Sequence, residues 1–208
     1  MTRDYPAKPR RAGASSAELR QRAQGAQARE PGRRLFVACD LPADVAAEVG
    51  RWQDAELAAH ADVRVVHTLH VTLCFLGTVA ERRVAEIESA LQALDIPSLP
   101  TALGEPLFLP ERGVKRVVAL ALADPAGTLA ATQREVSATL AGLGVYEPER
   151  RPWLPHLTVA RYRRPGHPFP LQNVNIQAFG LASVILYASL LERGGAVHTP
   201  LATFPAQD

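Results

Sequence analysis

His70-Val71-Thr72-Leu73 and His156-Leu157-Thr158-Val159 share one pattern of histidine, apolar residue, threonine, apolar residue. On a β-strand, successive side chains face opposite sides. Each tetrapeptide therefore shows an imidazole and a hydroxyl on one face and two aliphatic groups on the other. Six histidines and eleven threonines in 208 residues produce about 0.07 such tetrapeptides by chance, so the repeat carries information. Two imidazoles on one cleft suit paired proton transfer. Histidine titrates near pH ~6.5, so one neutral ring can take a proton from attacking water while a charged ring gives one to the leaving oxygen. Each hydroxyl can donate to an oxygen of a bound anion. A phosphorus centre suits the arrangement, because in-line displacement places base and acid on opposite sides. A cyclic phosphodiester fits best: its ring oxygen must leave with a proton, and no metal is required. A single strand histidine is more often structural, and a strand threonine more often a plain β-former. The duplication reverses both readings.

Rival chemistries find weaker support. His67 and His70 fall on opposite faces of a strand, and no Cys-x-x-Cys or His-Glu-x-x-His spacing occurs, so no metal site is expected. By alternation Cys74 shares the face of His70, but four strand residues separate them by about 13 Å, too far for a thiolate–imidazole pair. A pairing of Cys74 with His156 across the cleft stays open, with nothing to argue for it. Arg161 ends the second strand, where its guanidinium either clamps a phosphate or serves as a solvated strand-end charge. Arg163, Arg164 and His167 extend that positive cluster or simply solubilise a loop. Phe36 is a core aromatic or a surface for stacking a base. Tyr187 and Ser189 share a strand face without further signal. His60, His67, His167 and His198 have no repeated context and receive no role in the site.

Alternation and helical periodicity supply the elements that position these residues. Strands are expected at Arg34–Cys39, Val63–His67, Leu69–Leu76, Thr101–Leu109, Arg116–Leu122, His156–Arg161, Ala182–Leu191 and Val197–Phe204. Helices are expected at Val45–Ala59, Glu81–Leu94 and Pro125–Leu143. Residues 162–175 read as a loop rich in Pro, Gly and Arg, and Arg193-Gly194-Gly195 as a hairpin turn. The tally is an α+β fold with mixed or antiparallel sheet, each histidine strand in a different half.

Averaged net charge hides an uneven distribution. Residues 1–32 hold seven Lys/Arg against three Asp/Glu, whereas the remaining 176 hold sixteen against eighteen. The first 32 residues are read as a basic, disordered arm, either a tether for RNA or a dispensable tail. Residues 33–208 form the domain, whose slightly acidic body excludes general nucleic-acid binding through a broad basic surface. Any anion must be caught locally. Cys39 and Cys74 lie in apolar runs and read as reduced, buried thiols. No apolar run is long enough for a membrane span, and no secretory signal stands at the amino terminus, so a cytoplasmic setting is expected.

With these residues in place, the chain resembles the 2H phosphoesterases, and among them the RNA 2′,3′-cyclic phosphodiesterases, also called bacterial and archaeal 2′-5′ RNA ligases. The resemblance runs from Arg34 to Phe204. It rests on Arg34-Leu-Phe-Val-Ala-Cys-Asp-Leu-Pro42, Leu69-His-Val-Thr-Leu-Cys-Phe-Leu-Gly77, Pro155-His-Leu-Thr-Val-Ala-Arg161, Leu186-Tyr-Ala-Ser-Leu190 and His198-Thr-Pro-Leu201. It implies a bilobal α+β fold, with two pseudo-symmetric, mainly antiparallel lobes around a central cleft and helices outside. It implies His70 as proton donor, His156 as proton acceptor, and Thr72, Thr158 and Arg161 as phosphate ligands. The implied reaction opens RNA 2′,3′-cyclic phosphate ends to 2′-phosphomonoesters without cofactor or metal, with reversible 2′-5′ ligation in some members. Cyclic mononucleotides or ADP-ribose cyclic phosphate are alternative substrates, and a noncatalytic RNA-end binder is the alternative class. A monomer with no obligate protein partner is expected. The basic arm departs from the usual family start.

Overall fold

Strand β1 (Gly32–Asp40) shows how the sheet is built. Leu35, Val37 and Cys39 are fully buried on one face, while Arg34, Phe36, Ala38 and Asp40 take the other. The computed structural model describes residues 30–192 and 195–207, and most of the expected amino-terminal arm lies outside them. From Gly32 onward the chain forms one compact unit. After β1 come α1 (Ala43–Leu57), β2 (Val63–Val65), β3 (His70–Ala80), a 3-10 turn at Glu81–Arg83, α2 (Val84–Gln92), β4 (Leu99–Leu109) and β5 (Lys115–Ala123). Then follow α3 (Thr128–Gly142), β6 (His156–Gly166), β7 (Phe179–Leu181), β8 (Ser183–Glu192) and β9 (Gly195–Pro205).

All strand pairings among the described residues are antiparallel, in the order β7-β4-β5-β6-β3-β1-β8-β9, with β2 on β6. The two histidine strands, β3 and β6, meet at the centre through one residue pair, Val71 with Leu157. Each leads its own half of the sheet, so the fold is α+β and bilobal, as expected. Apolar residues at helical spacing on α1 (Val45, Val49, Trp52), α2 (Ile87, Leu91) and α3 (Leu129, Val136, Leu140) pack on one face in a single core. The opposite face carries a smaller cluster of Phe36, Ala38, Ile185 and Tyr187, which forms part of the cleft floor.

Each histidine strand carries one extra residue directly after its threonine. On β3, Ala38 pairs with Thr72 and Val37 with Cys74, which leaves Leu73 between them. On β6, Ala119 pairs with Thr158 and Val118 with Ala160, which leaves Val159. Such bulges bend a strand and reverse which face the following residues take. Leu73 and Cys74 therefore both enter the core, as do Val159 and Ala160. A buried glutamine holds each bulge from the helix layer. Gln53 of α1 donates to the Val159 and Val66 carbonyls at 2.8 Å each. Gln133 of α3 donates to the Leu73 carbonyl at 3.4 Å.

Several expected boundaries shift. The helix expected from Glu81 opens with the 3-10 turn. The strand expected to end near Gly77 passes through it at φ 71° to Ala80. Arg161 does not end its strand, and part of the expected loop at 162–175 is β structure: β6 runs to Gly166, held by β2 at Tyr162 and by Lys115 of β5 at Gly166. A Cβ at Gly166 would lie 2.6 Å from the Tyr162 ring, so glycine there permits the close packing. β7 was not anticipated; three residues are too few to show alternation. Among the described residues no helix is long and apolar enough to cross a membrane.

Gln53 spans two carbonyls that an apolar side chain would leave short of donors. Gln53→Leu is expected to destabilise the fold by about 2 kcal/mol, read as a lower urea midpoint. An unchanged midpoint would show that the bulge does not need the glutamine.

Candidate active site

Antiparallel strands have local twofold symmetry, so the Val71–Leu157 pair places the two motifs about a common axis. His70 falls across from Thr158, and Thr72 across from His156. The two histidines are then diagonal neighbours, with Cα atoms about 8 Å apart in an undistorted ladder. Outer strands extend the symmetry. Ala38 lies opposite Thr72 and Ala119 opposite Thr158, so each hydroxyl faces a small side chain that leaves room for a ligand. All four motif side chains are half-buried. Each imidazole is oriented by the carbonyl two residues before it: His156 Nδ1 lies 2.8 Å from the Leu154 oxygen, and His70 donates to Thr68. With Nδ1 of His156 used as a donor, its Nε2 is the nitrogen left for proton transfer. Trp153, just before the second motif, donates from Nε1 to the Thr72 carbonyl at 3.2 Å and ties the motifs together.

The surroundings of the two histidines differ. His70 sits in an aromatic wall, its ring 5.0 Å from Phe36, 6.4 Å from Tyr187 and 5.3 Å, edge-on, from His198. Phe36 stacks on Tyr187 at 5.1 Å, and the Tyr187 hydroxyl donates to Asp40 Oδ2 at 2.6 Å. Asp40 lies across from His70, whereas His156 has Ala121 in the corresponding place. Burial is the main influence on His70 and lowers its pKa to about 4; His198 and Arg161 push the same way, against Asp40 and the Thr68 bond. His70 is therefore neutral at pH 7. Burial, then the Asp40 carboxylate, raises the Tyr187 pKa and keeps the phenol protonated. His198 is lowered by burial and then by Arg161, and its Nδ1 is buried without a hydrogen-bond partner.

The five residues singled out from sequence thus come together on one face. The bulge at Val159 returns Arg161 to the histidine side, where it acts on both His70 and His198. The corresponding bulge removes Cys74. The alternation that put Cys74 on the face of His70 is broken at Leu73, and the thiol is buried with burial raising its pKa to about 12. Arg163 serves the fold, donating from Nε to the Ala61 carbonyl at 3.1 Å. Arg164 and His167 are exposed on the β6 extension and the loop beyond it. Phe36 and Tyr187 both border His70. Asp40 and His198 were missed. The only sequence signal for Asp40 was its even spacing from Phe36, and His198 reaches the site through the β8–β9 register opposite Ser189. Among the described residues no group of three or more His, Cys, Asp or Glu is arranged to hold a metal ion.

Comparison with known proteins identifies the family. The model of the 2′-5′ RNA ligase superfamily matches residues 41–174. An RNA 2′,3′-cyclic phosphodiesterase of Methanothermobacter thermautotrophicus is 31% identical over 189 residues, covering 82% of this chain and 97% of that protein. The Escherichia coli protein of the same name is 31% identical over 172 residues, covering 81% and 93%. The solved structure of E. coli LigT in apo form superposes with a TM-score of 0.74 at 24% identity, over 85% of this chain and 99% of that one. A solved structure from Thermus thermophilus superposes with a TM-score of 0.72 at 25% identity, over 83% and 97%. The paired His-x-Thr strands, the bilobal antiparallel fold and these matches converge: the chain belongs to the 2′-5′ RNA ligase superfamily.

Proposed function

We propose that the protein hydrolyses the 2′,3′-cyclic phosphate at RNA ends to a 2′-phosphomonoester, with two histidines and no metal. The observation that carries this reading is the Val71–Leu157 pair, which sets two His-x-Thr segments about one axis. The two relatives named RNA 2′,3′-cyclic phosphodiesterase support the substrate class. The cyclic phosphate lies between the imidazoles, its nonbridging oxygens on Thr72, Thr158 and Arg161. His156 takes a proton from water as the water oxygen bonds to phosphorus. The P–O3′ bond breaks, and His70 gives its proton to O3′. Asp40 supports His70 as the donor, because it favours the charged ring, while His156 has Ala121 in the corresponding place. The substrate adds negative charge that offsets Arg161 and His198, so proton uptake by His70 accompanies binding. Run in the same direction with an RNA 5′-hydroxyl in place of water, the same steps form a 2′-5′ linkage, and their reversal cleaves it. A monomer in the cytoplasm completes the proposal, in keeping with two free, buried cysteines.

Incubated in EDTA with an oligoribonucleotide ending in a 2′,3′-cyclic phosphate, the protein is expected to release 2′-phosphate ends. His70→Ala and His156→Ala should each lower kcat by about 10²- to 10⁴-fold. Full activity in both variants would refute the mechanism, and tight binding without turnover would move the reading to an RNA-end binder.

The lowered pKa of His70 also sets a pH dependence of stability. The unfolded ring binds a proton near pH ~6.5, the folded one only near about 4. Between these values the unfolded state holds more protons, so folded stability falls as pH drops through this window. Above it both rings are neutral, and below it both are charged. The loss in urea midpoint from pH 7 to pH 5 should be smaller in His70→Asn than in the parent. Equal losses would show that His70 is not held neutral by the fold.

A further inference from the structure

Arg64 of β2 and Arg161 of β6 are directly opposed across the sheet. Their neighbours Val63 and Val65 pack toward the core, which leaves the two arginines on the histidine face. Like charges facing each other across a ladder cost stability, and burial, then Arg64, lowers the pKa of Arg161. An oxyanion between two guanidinium groups removes that cost and receives their forked donors.

Arg161 stands three residues beyond Thr158 on β6, and β2 sets Arg64 opposite it, so the arginine pair continues the row past the second motif. At the far end Arg64 packs against the start of β9. A Cβ built on Gly195, at φ 138°, would lie 2.7 Å from Arg64 Nη1. Glycine at this position lets the guanidinium lie against the hairpin backbone. Beside it, Leu191 is 63% exposed and shares a face of β8 with Ser189, the partner of His198. It offers an apolar surface to a base.

We propose that Arg64, with Arg161, forms a second phosphate subsite that takes the phosphodiester next to the cyclic phosphate, so that the protein prefers oligonucleotide ends to cyclic mononucleotides. This inference rests on the cyclic phosphate lying between His70 and His156. A cyclic mononucleotide has no second phosphodiester and leaves the Arg64 end of the row unused. A trinucleotide fills it.

The test compares kcat/KM for a trinucleotide ending in a 2′,3′-cyclic phosphate with that for 2′,3′-cyclic AMP, at low and moderate salt. The unmodified protein is expected to favour the trinucleotide at least tenfold. Arg64→Gln, which keeps much of the side-chain packing, should reduce this ratio at least fivefold. It should also flatten the salt dependence on the trinucleotide by a slope of about 0.7, one phosphate contact on a single strand. Arg64→Lys should recover part of the ratio, which a purely structural defect would not show. Urea unfolding of each variant verifies that it is folded. Equal use of both substrates by the unmodified protein overturns the second subsite and leaves the phosphodiesterase reading standing. An unchanged ratio in Arg64→Gln likewise overturns it. Turnover of neither substrate removes the proposed function and this inference with it.

Discussion

The contact between Val71 and Leu157 constrains nearly everything else in the molecule. Because antiparallel neighbours are related by a local twofold axis, one pair suffices to align two copies of a short motif. The histidines, the threonines and the alanines opposite those threonines follow from the same register. So do the bulges at Leu73 and Val159, and the glutamines that reach them from α3 and α1. The bulges explain why the contact is so brief. They bend both strands immediately past their threonines, so the two halves separate there and leave an open face between them. The proposed phosphate would sit over this open face.

Symmetry of position does not extend to symmetry of environment. Asp40, Phe36, Tyr187 and His198 gather around His70, while His156 has the plain neighbour Ala121 and a single carbonyl contact from Leu154. Two identical imidazoles in identical surroundings would titrate alike, which ill suits a reaction needing one acid and one base. The asymmetric residues come from β1, β8 and β9, outside the duplicated strands. Differentiation of the histidines is thus supplied by the edge of the sheet and not by the motifs. The same edge brings the start of β9 against Arg64, so the strands that distinguish His70 also border the arginine row.

Desolvation is the largest influence on His70, and it depends on how closely the aromatic wall packs. His198 and Arg161 both act on His70, so the proposed anion would alter that balance directly, and on this reading protonation and ligand binding are coupled with no moving domain required.

What the amino-acid sequence determined by itself was local and periodic. Two His-x-Thr segments on alternating strands, helical spacing in α1, α2 and α3, and the β8–β9 hairpin were all legible, because each is written within a few turns or a few strand residues. The family likeness added the bilobal fold. What only the tertiary structure decided depended on register. A bulge moves every later side chain to the other face, and nothing in Leu73 or Val159 marks them as the extra residue; that is why alternation misplaced Cys74 and why the face taken by Arg161 could not be read. Asp40 and His198 are ordinary residues in sequence, and they reach His70 through pairings between distant strands. Arg64 and Arg161 are 97 residues apart in number and directly opposite in the sheet. Strand alternation fixes which neighbours share a face, but only the folded register says who stands across from whom.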